Sequence, residues 1–398
     1  MQVKSRSPDL ILLLVVFLLV SMGIVMVYSA SSVTASSSHD FGNDPAYFLK
    51  KQVLWALLGV GAMFIAYRAR LSSIRKWAPA LLTVAVALLA LVLIPAVGQE
   101  SGGARRWLLL GGIALQPAEL AKLALLIFFA ASLSPCQSAS ERGTAGPRKP
   151  VSDFWKGLVP NLLVMALVLI LVDLEPDLGT ATVIAGSSLV VLFLAGAKPA
   201  HLFALIGITL PFVAMRIMHE GYRLKRLLAF ANPWSDPTGA GYHIIQSLLA
   251  LGSGRLLGLG LGHSRQKFFY LPECSTDYIF SIIGEELGFA GASAFLILFG
   301  VLIYRGFKIA MRAPDRFSML LASGITVMLG LQAVINIGVV ANLLPPTGIT
   351  LPFVSYGGSS LFFSLLGIGL LLNVSRLCDS KAHLKKPEPK MYVKRSTV

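Results

Sequence analysis

The chain has little charge. Only 13% of its 398 residues are Asp, Glu, Lys or Arg, about half the share found in soluble globular domains. Acidic residues are scarcest, 19 against 34 basic ones, which leaves a formal net charge of +15. Cysteine is nearly absent. Cys136, Cys274 and Cys378 lie far apart and give neither a disulfide framework nor a metal-ligand spacing. The six histidines are scattered, with no pair at ligand distance along the chain. A disulfide-stapled fold and a Cys/His metal centre are therefore not expected.

Apolar sequence is what the chain has in quantity. Hydrophobic residues make up 55% of it, and mean hydropathy is +0.74. Runs long enough to cross a bilayer recur along most of its length. The first, from 10 to 28, follows Lys4, Arg6 and Asp9. It is too long for a signal-peptide core and reads as a retained helix. The pattern predicts an all-α polytopic membrane protein of about ten helices: 9–30, 51–68, 77–97, 116–134, 156–173, 178–197, 200–217, 277–304, 317–341 and 352–374.

The basic residues orient these helices. With the N-terminus in the cytoplasm, Arg68, Arg70, Arg75, Lys76, Lys198, Arg305, Lys308, Arg312, Arg316 and Arg376 all fall inside. The positive-inside tendency then places both termini in the cytoplasm and accounts for the charge without a nucleic-acid partner. The expected organisation is a cytoplasmic N-terminus over 1–8, seven helices over 9–217, a long outer loop over 218–276, three helices over 277–374 and a basic cytoplasmic tail over 375–398. The tail, rich in Pro and Lys, is expected to be disordered.

The outer loop is neither plainly polar nor plainly spanning. Residues 224–230 form an amphipathic pattern with Lys225 and Arg226 on the polar side. Asn232-Pro233-Trp234-Ser235-Asp236-Pro237 is a cluster of turn residues. Residues 241–251 can form a second short helix carrying Gln246 and Ser247. The Gly/Leu alternation of 252–262 suits a re-entrant backbone buried in protein.

Ionisable groups gather towards the outer side. Asp277 stands where this loop turns into an apolar helix, a costly place for a carboxylate. If that helix began at Asp277, then Ser281, Gly284 and Gly288 would share its face, open to a bulky group or to a closely packed helix. Glu285 and Glu286 would point elsewhere. Glu119 and Lys122 lie at i, i+3 behind Gln116-Pro117. They form either a structural pair or the polar floor of a cavity. Arg105, Arg106 and Trp107 precede them. Arginine suits a phosphate, and an Arg beside an interfacial Trp equally suits a lipid headgroup. Asp173, Glu175 and Asp177 form a short acidic outer loop.

These blocks resemble the SEDS family (shape, elongation, division and sporulation), which comprises the FtsW, RodA and SpoVE proteins. The matching stretches include Gly103-Ala104-Arg105-Arg106-Trp107, Gln116-Pro117-Ala118-Glu119-Leu120-Ala121-Lys122, Glu175-Pro176-Asp177-Leu178-Gly179-Thr180, Asn232-Pro233-Trp234, Thr276-Asp277-Tyr278-Ile279-Phe280 and Leu351-Pro352-Phe353-Val354-Ser355-Tyr356-Gly357-Gly358. They occur in order and span nearly the whole chain except its ends. Arg-Arg-Trp and Asn-Pro-Trp make it look more like the division members than the elongation ones. Cys274-Ser275 departs from the family pattern, in which a small residue or Arg is followed by His.

The resemblance implies a peptidoglycan glycosyltransferase. Such enzymes polymerise lipid II at the outer face of a bacterial cytoplasmic membrane, here during division and at the septum. The family's essential carboxylate maps onto Asp277, its Glu/Lys pair onto Glu119 and Lys122, and its outer arginine most nearly onto Arg106. Arg105, Trp107, Gln246, Ser247 and Ser355 are the further candidates for substrate contact. A divalent cation, Mg or Mn, is a candidate source of charge for the diphosphate, with no metal-binding residue assigned. The implied partners are a class B penicillin-binding protein and other divisome proteins. Two rivals stand beside this reading. A lipid II flippase would carry an internal repeat and charge near the bilayer midplane, and a non-catalytic division scaffold would dispense with Asp277.

Overall fold

The computed structural model describes residues 8–101, 104–111, 113–134, 151, 153–219 and 221–384. Cys136 and the tail beyond 384 lie outside them. The described chain is mostly helix: α1 (Leu10–Ser37), α2 (Tyr47–Arg68), α3 (Leu71–Val92), α4 (Pro117–Ser132), α5 (Val159–Leu174), α6 (Leu178–Leu194), α7 (Pro199–His219), α8 (Gly221–Ala231), α9 (Tyr242–Ser253), α10 (Ile279–Met311), α11 (Arg316–Val340) and α12 (Gly358–Leu384). Ten of these coincide with the ten expected spans. By length and composition, seven helices among the described residues can cross a membrane, and Val159–Leu174 and Leu178–Leu194 are apolar but shorter. Helix α12 continues to Leu384, past the boundary expected for the tail.

Side-chain caps decide where several helices start. Asp9 accepts from the Leu12 amide at 3.0 Å, Asp177 from Thr180 at 3.0 Å and Asp315 from Ser318 at 3.1 Å. Each satisfies an amide that the first turn leaves without a partner. Pro117 opens α4, where its missing N–H costs nothing.

Helices α11 and α12 form the centre. Both are largely buried, whereas α2 and α3 expose most of their apolar surface. Helix α12 packs along α2, and α11 packs against α10, α6 and α4. This inside–outside contrast follows from small and polar residues: Ser323, Thr326, Gln332 and Asn336 of α11 are all buried.

A small sheet that the pattern of apolar runs does not predict follows α3. Strands β1 (Gly98–Ser101), β2 (Ala104–Leu110) and β3 (Ile113–Leu115) form an antiparallel three-stranded sheet in the order β1-β2-β3. The expected helix over 77–97 stops at Val92 and the chain turns into this sheet. The sheet presents the Arg-Arg-Trp block on strand β2 rather than in a loop.

Both short helices of the long loop are present, as α8 and α9. The Gly/Leu segment behind them pairs with α10. Leu259 N donates to Glu285 O at 3.0 Å and Phe289 N to Arg255 O at 2.8 Å. Gly288 permits this with a φ of 68° at a kink inside α10, and a side chain there would collide with Gly258 and Leu256. Helix α10 begins at Ile279, two residues after Asp277. Its small face is used for packing: a Cβ on Gly284 would lie 2.5 Å from Leu251, and Ser281 bonds Ser247 at 2.8 Å. The open-face alternative for Ser281 and Gly284 is therefore corrected. As expected, Glu285 and Glu286 point elsewhere. Glu286 accepts from Ser29 at 2.7 Å and lies 3.5 Å from Lys267, which ties the loop to α1 and α10.

Candidate active site

The N-terminal ends of α4, α6 and α10 meet the C-terminal end of α11 around a cavity of about 410 Å³. Asp277 lines it. So do Arg106, Trp107, Glu119, Asp177, Arg223, Arg226 and Glu273, with the 345–350 segment forming one wall. Residues from β2, α4, α6, α8 and α12 and from the loops between them are thus brought to one end of the bundle.

The backbone around Asp277 is held from several sides. Asn336 donates its side-chain amide to the Asp277 carbonyl at 2.8 Å. Ser355 donates its hydroxyl to the Thr276 carbonyl at 2.5 Å. The Tyr356 amide donates to the Ser275 carbonyl at 2.8 Å. Gly348 lies under the carboxylate with a φ of 72°, and a Cβ there would sit 3.3 Å from Asp277 Oδ2. Glycine is thus favoured twice, by its backbone conformation and by the close approach.

Asp277 is half-buried, open to the cavity but otherwise surrounded by protein. That desolvation pushes its carboxyl up to about 7, and the charges of Glu273 and Asp177 push the same way. Arg226 and Arg106 oppose them. A carboxyl titrating near neutrality is poised to accept a proton.

Arg106 is the arginine that turns inward. Its Nε donates to the Glu175 carbonyl at 2.9 Å and its Nη2 to the Pro176 carbonyl at 2.6 Å. Arg105 instead faces Glu100, its partner across β1–β2, at 3.6 Å on the exposed side of the sheet. The expected role of Arg105 in substrate contact therefore finds no place in the cavity wall. Glu175 is buried, and burial followed by the Asp177 charge raises its carboxyl to about 8. Asp177 is committed to capping α6 and accepts from Gln116 at 3.1 Å.

Glu119 and Lys122 form the expected pair, 2.9 Å apart and buried. Lys122 also donates to Gln332 at 2.9 Å. Gln332 in turn donates to the Thr350 carbonyl at 3.1 Å. Glu119 reaches the cavity and Lys122 lies behind it, so the pair is both a helix tie and a floor.

Three other candidates lie outside the cavity wall. Ser247 is fully buried between helices, where it donates to the Val340 carbonyl at 2.7 Å. Gln246 sits beside it on α9 and is not in the wall either. Helix α9, which carries both, is inserted against α10. Ser355 is buried and acts on the Asp277 loop from outside. Conversely, Arg223, which is not among the sequence candidates, lines the cavity. It lies one turn before Arg226 on α8, 3.2 Å from Asp173, and that i, i+3 pair on an amphipathic helix was the available signal.

Residues 9–379 match the family described as Cell cycle protein, FTSW_RODA_SPOVE. The chain belongs to this family. It is 46% identical over 378 residues to Stage V sporulation protein E of Bacillus subtilis (strain 168), covering 94% of this chain and 99% of the relative. It is 43% identical over 367 residues to the probable peptidoglycan glycosyltransferase FtsW of Geobacter metallireducens, covering 92% and 94%. Among solved structures, it is similar to a chain of a peptidoglycan synthase complex that coordinates polymerization and crosslinking, with a TM-score of 0.73, 32% identity and coverage of 93% and 98%. It is also similar to the rod shape determining protein RodA of Thermus thermophilus, with a TM-score of 0.66, 32% identity and coverage of 93% and 97%. The SEDS resemblance drawn from the motifs is thereby established, and the relatives include both a sporulation protein and FtsW proteins.

Proposed function

We infer that this chain is a peptidoglycan glycosyltransferase that polymerises lipid II. The observation that carries this is the pairing of Asp277 with Arg106, Arg223 and Arg226 around one cavity at the end of the bundle. A carboxylate titrating near neutrality and guanidinium groups in the same cavity are the two things the reaction needs. Relatives named probable peptidoglycan glycosyltransferase FtsW, aligned along nearly the whole chain, support the same activity.

The chemistry follows from the groups present. Asp277 accepts the proton of the acceptor sugar's 4-hydroxyl as that oxygen attacks the donor's anomeric carbon. The bond to the diphosphate breaks, and undecaprenyl diphosphate leaves with the electron pair. A diphosphate is a good leaving group, so a second carboxylic acid of the kind used on ordinary glycosides is not required. Displacement in line inverts the anomeric centre. Arg106, Arg223 and Arg226 supply the positive charge that the leaving group needs.

A divalent cation fits this donor set as a supplement. No group of three His, Cys, Asp or Glu side chains placed to hold a metal ion occurs among the described residues. Magnesium, however, is commonly held by one or two carboxylates together with substrate phosphates, and Asp277 with Glu273 would be the carboxylates to hold it. Such an ion would add charge neutralisation at the diphosphate.

In this reading ten helices span the cytoplasmic membrane of a bacterium, with both termini inside and the cavity outside, at the division septum. A class B penicillin-binding protein cross-links the product, alongside other divisome proteins. The similarity to a chain of a peptidoglycan synthase complex supports such a partner.

The test is polymerisation of purified lipid II by the purified chain with its penicillin-binding partner, that partner being unable to polymerise glycan itself. Wild type should make strands, and a folded Asp277→Asn should make none, with divalent metal present or absent. Equal strands from both would remove Asp277 from the mechanism. No strands from either, with lipid II translocation in liposomes, would favour the flippase.

A further inference from the structure

A second polar cavity lies at the opposite end of the bundle. It has a volume of about 300 Å³ and is lined by Asp9, Arg305, Lys308, Arg312, Ser375 and Cys378, among others. Three helices converge there: the start of α1 and the ends of α10 and α12. Past its kink at Gly288, α10 runs straight over residues 289–311, about 35 Å against a hydrocarbon core of about 30 Å. Its last turns therefore emerge at headgroup depth on the side away from Asp277. Tyr304, exposed at this level, and Lys308, with Nζ 5.6 Å from the Tyr304 ring, fit an interfacial position.

The charges in this cavity do not balance. Arg305, Lys308 and Arg312 are spaced i, i+3 and i+7, which puts all three on one face of α10. Among the described residues, Asp9 is the single carboxylate lining the cavity, and it is already engaged. It caps α1 through Leu12 at 3.0 Å and accepts from Arg305 Nε at 3.0 Å. Ser375 accepts from the Asp9 amide at 3.3 Å. Arg305 is thus neutralised and fixed at the back, while Lys308 and Arg312 contribute uncompensated charge at the mouth. Like charges stacked on one helix face cost stability, and the helix C-terminus offsets only part of that. A preformed recess edged by two cations at headgroup depth matches one ligand chemistry, a phosphate-bearing anion.

We propose that this cavity binds the phosphate of an anionic phospholipid headgroup from the leaflet opposite the Asp277 cavity, through Lys308 and Arg312 in front of the Asp9–Arg305 pair. The site is separate from the glycosyltransferase reading and does not depend on it.

The experiment compares the full-length chain in detergent with two variants of equal charge. Lys308→Gln/Arg312→Gln empties the mouth of the cavity. Arg70→Gln/Lys76→Gln removes two exposed cations from the same end without touching it. Each protein is titrated with phosphatidylglycerol, and separately with phosphatidylcholine, and bound lipid is counted by native mass spectrometry. Wild type and the Arg70/Lys76 variant should retain one phosphatidylglycerol. The Lys308/Arg312 variant should bind it about thirty-fold more weakly, or ~2 kcal/mol at about 1 kcal/mol per cation. Lys308→Arg/Arg312→Lys should bind like wild type, which separates lost binding from lost folding. Equal weakening in both charge-removing variants, or equal binding of phosphatidylcholine, would overturn the site. Protection of wild type against heating by inorganic phosphate, absent in the Lys308/Arg312 variant, would keep the anion site and assign it a soluble occupant.

Discussion

Asn336 holds the carbonyl of Asp277. Its side-chain amide donates to that carbonyl at 2.8 Å and to the Ile349 carbonyl at 2.6 Å. One buried residue of the central helix α11 therefore fixes both the loop that carries the candidate base and the wall that faces it. Asn336→Leu should remove both bonds without changing the Asp277 side chain itself, which would then be free to shift. A displacement of about 1 Å at a reacting group can cost about a hundredfold. Polymerisation by Asn336→Leu should accordingly fall by one to two orders of magnitude, mostly in kcat, with lipid II binding retained. An unchanged kcat would show that Asn336 only packs.

The pH dependence carries two predictions of opposite sign. Burial, then Glu273 and Asp177, raise the Asp277 carboxyl from 3.8 to about 7, while Arg226 and Arg106 lower it. Only the ionised carboxylate accepts a proton, so polymerisation should rise with pH through about 7. Glu273→Gln removes a like charge and should move that rise to lower pH. Arg226→Ala removes an opposite charge and should move it to higher pH, with a raised KM for lipid II. Shifts in the same direction for both variants, read from pH–rate profiles, would assign the rise to another group.

The same group makes a stability prediction. Folded Asp277 keeps its proton between 3.8 and about 7, whereas the unfolded chain has lost it. The folded state binds more protons in that window, so its stability falls as pH rises across it. Asp277→Asn has no such cost. It should melt above wild type at pH 8, and the difference should close as pH falls towards 4. A variant melting below wild type at pH 8 would mean that the ionised carboxylate makes stabilising contacts that outweigh its burial.

The parts of this site that were legible in the sequence were those whose residue types are costly in an apolar chain. Asp277, Glu119 and Arg106 are ionisable groups beside apolar helices, and a charge there requires a reason. The sheet was not legible, because residues 98–115 mix Gly, Arg and a short apolar run that reads as loop between helices. Gln246 and Ser247 were misplaced for a different reason. Amphipathic spacing shows that a helix has two faces but not which neighbour covers them, and α9 turns Ser247 into the bundle. Ser355 and Asn336 act through backbone carbonyls of the Asp277 loop, and contacts between residues so distant in sequence carry no local signature.

The Glu119–Lys122 pair separates structural from functional roles most sharply. Its side chains are 6% and 3% exposed, so removing one partner strands a buried charge. Lys122→Met should destabilise the protein by roughly 3–5 kcal/mol, and the double variant Glu119→Gln/Lys122→Met should recover much of that, because neither charge is left alone. Gln332, which accepts from Lys122, keeps its bonds to Thr350 and Ser360 in either case. If the pair were only a helix tie, the double variant would regain polymerisation along with its melting temperature. Because Glu119 also lines the cavity, the expected result is a protein that melts near wild type yet polymerises lipid II at least tenfold more slowly. Recovery of both properties together would remove Glu119 from the substrate floor and leave it a structural role.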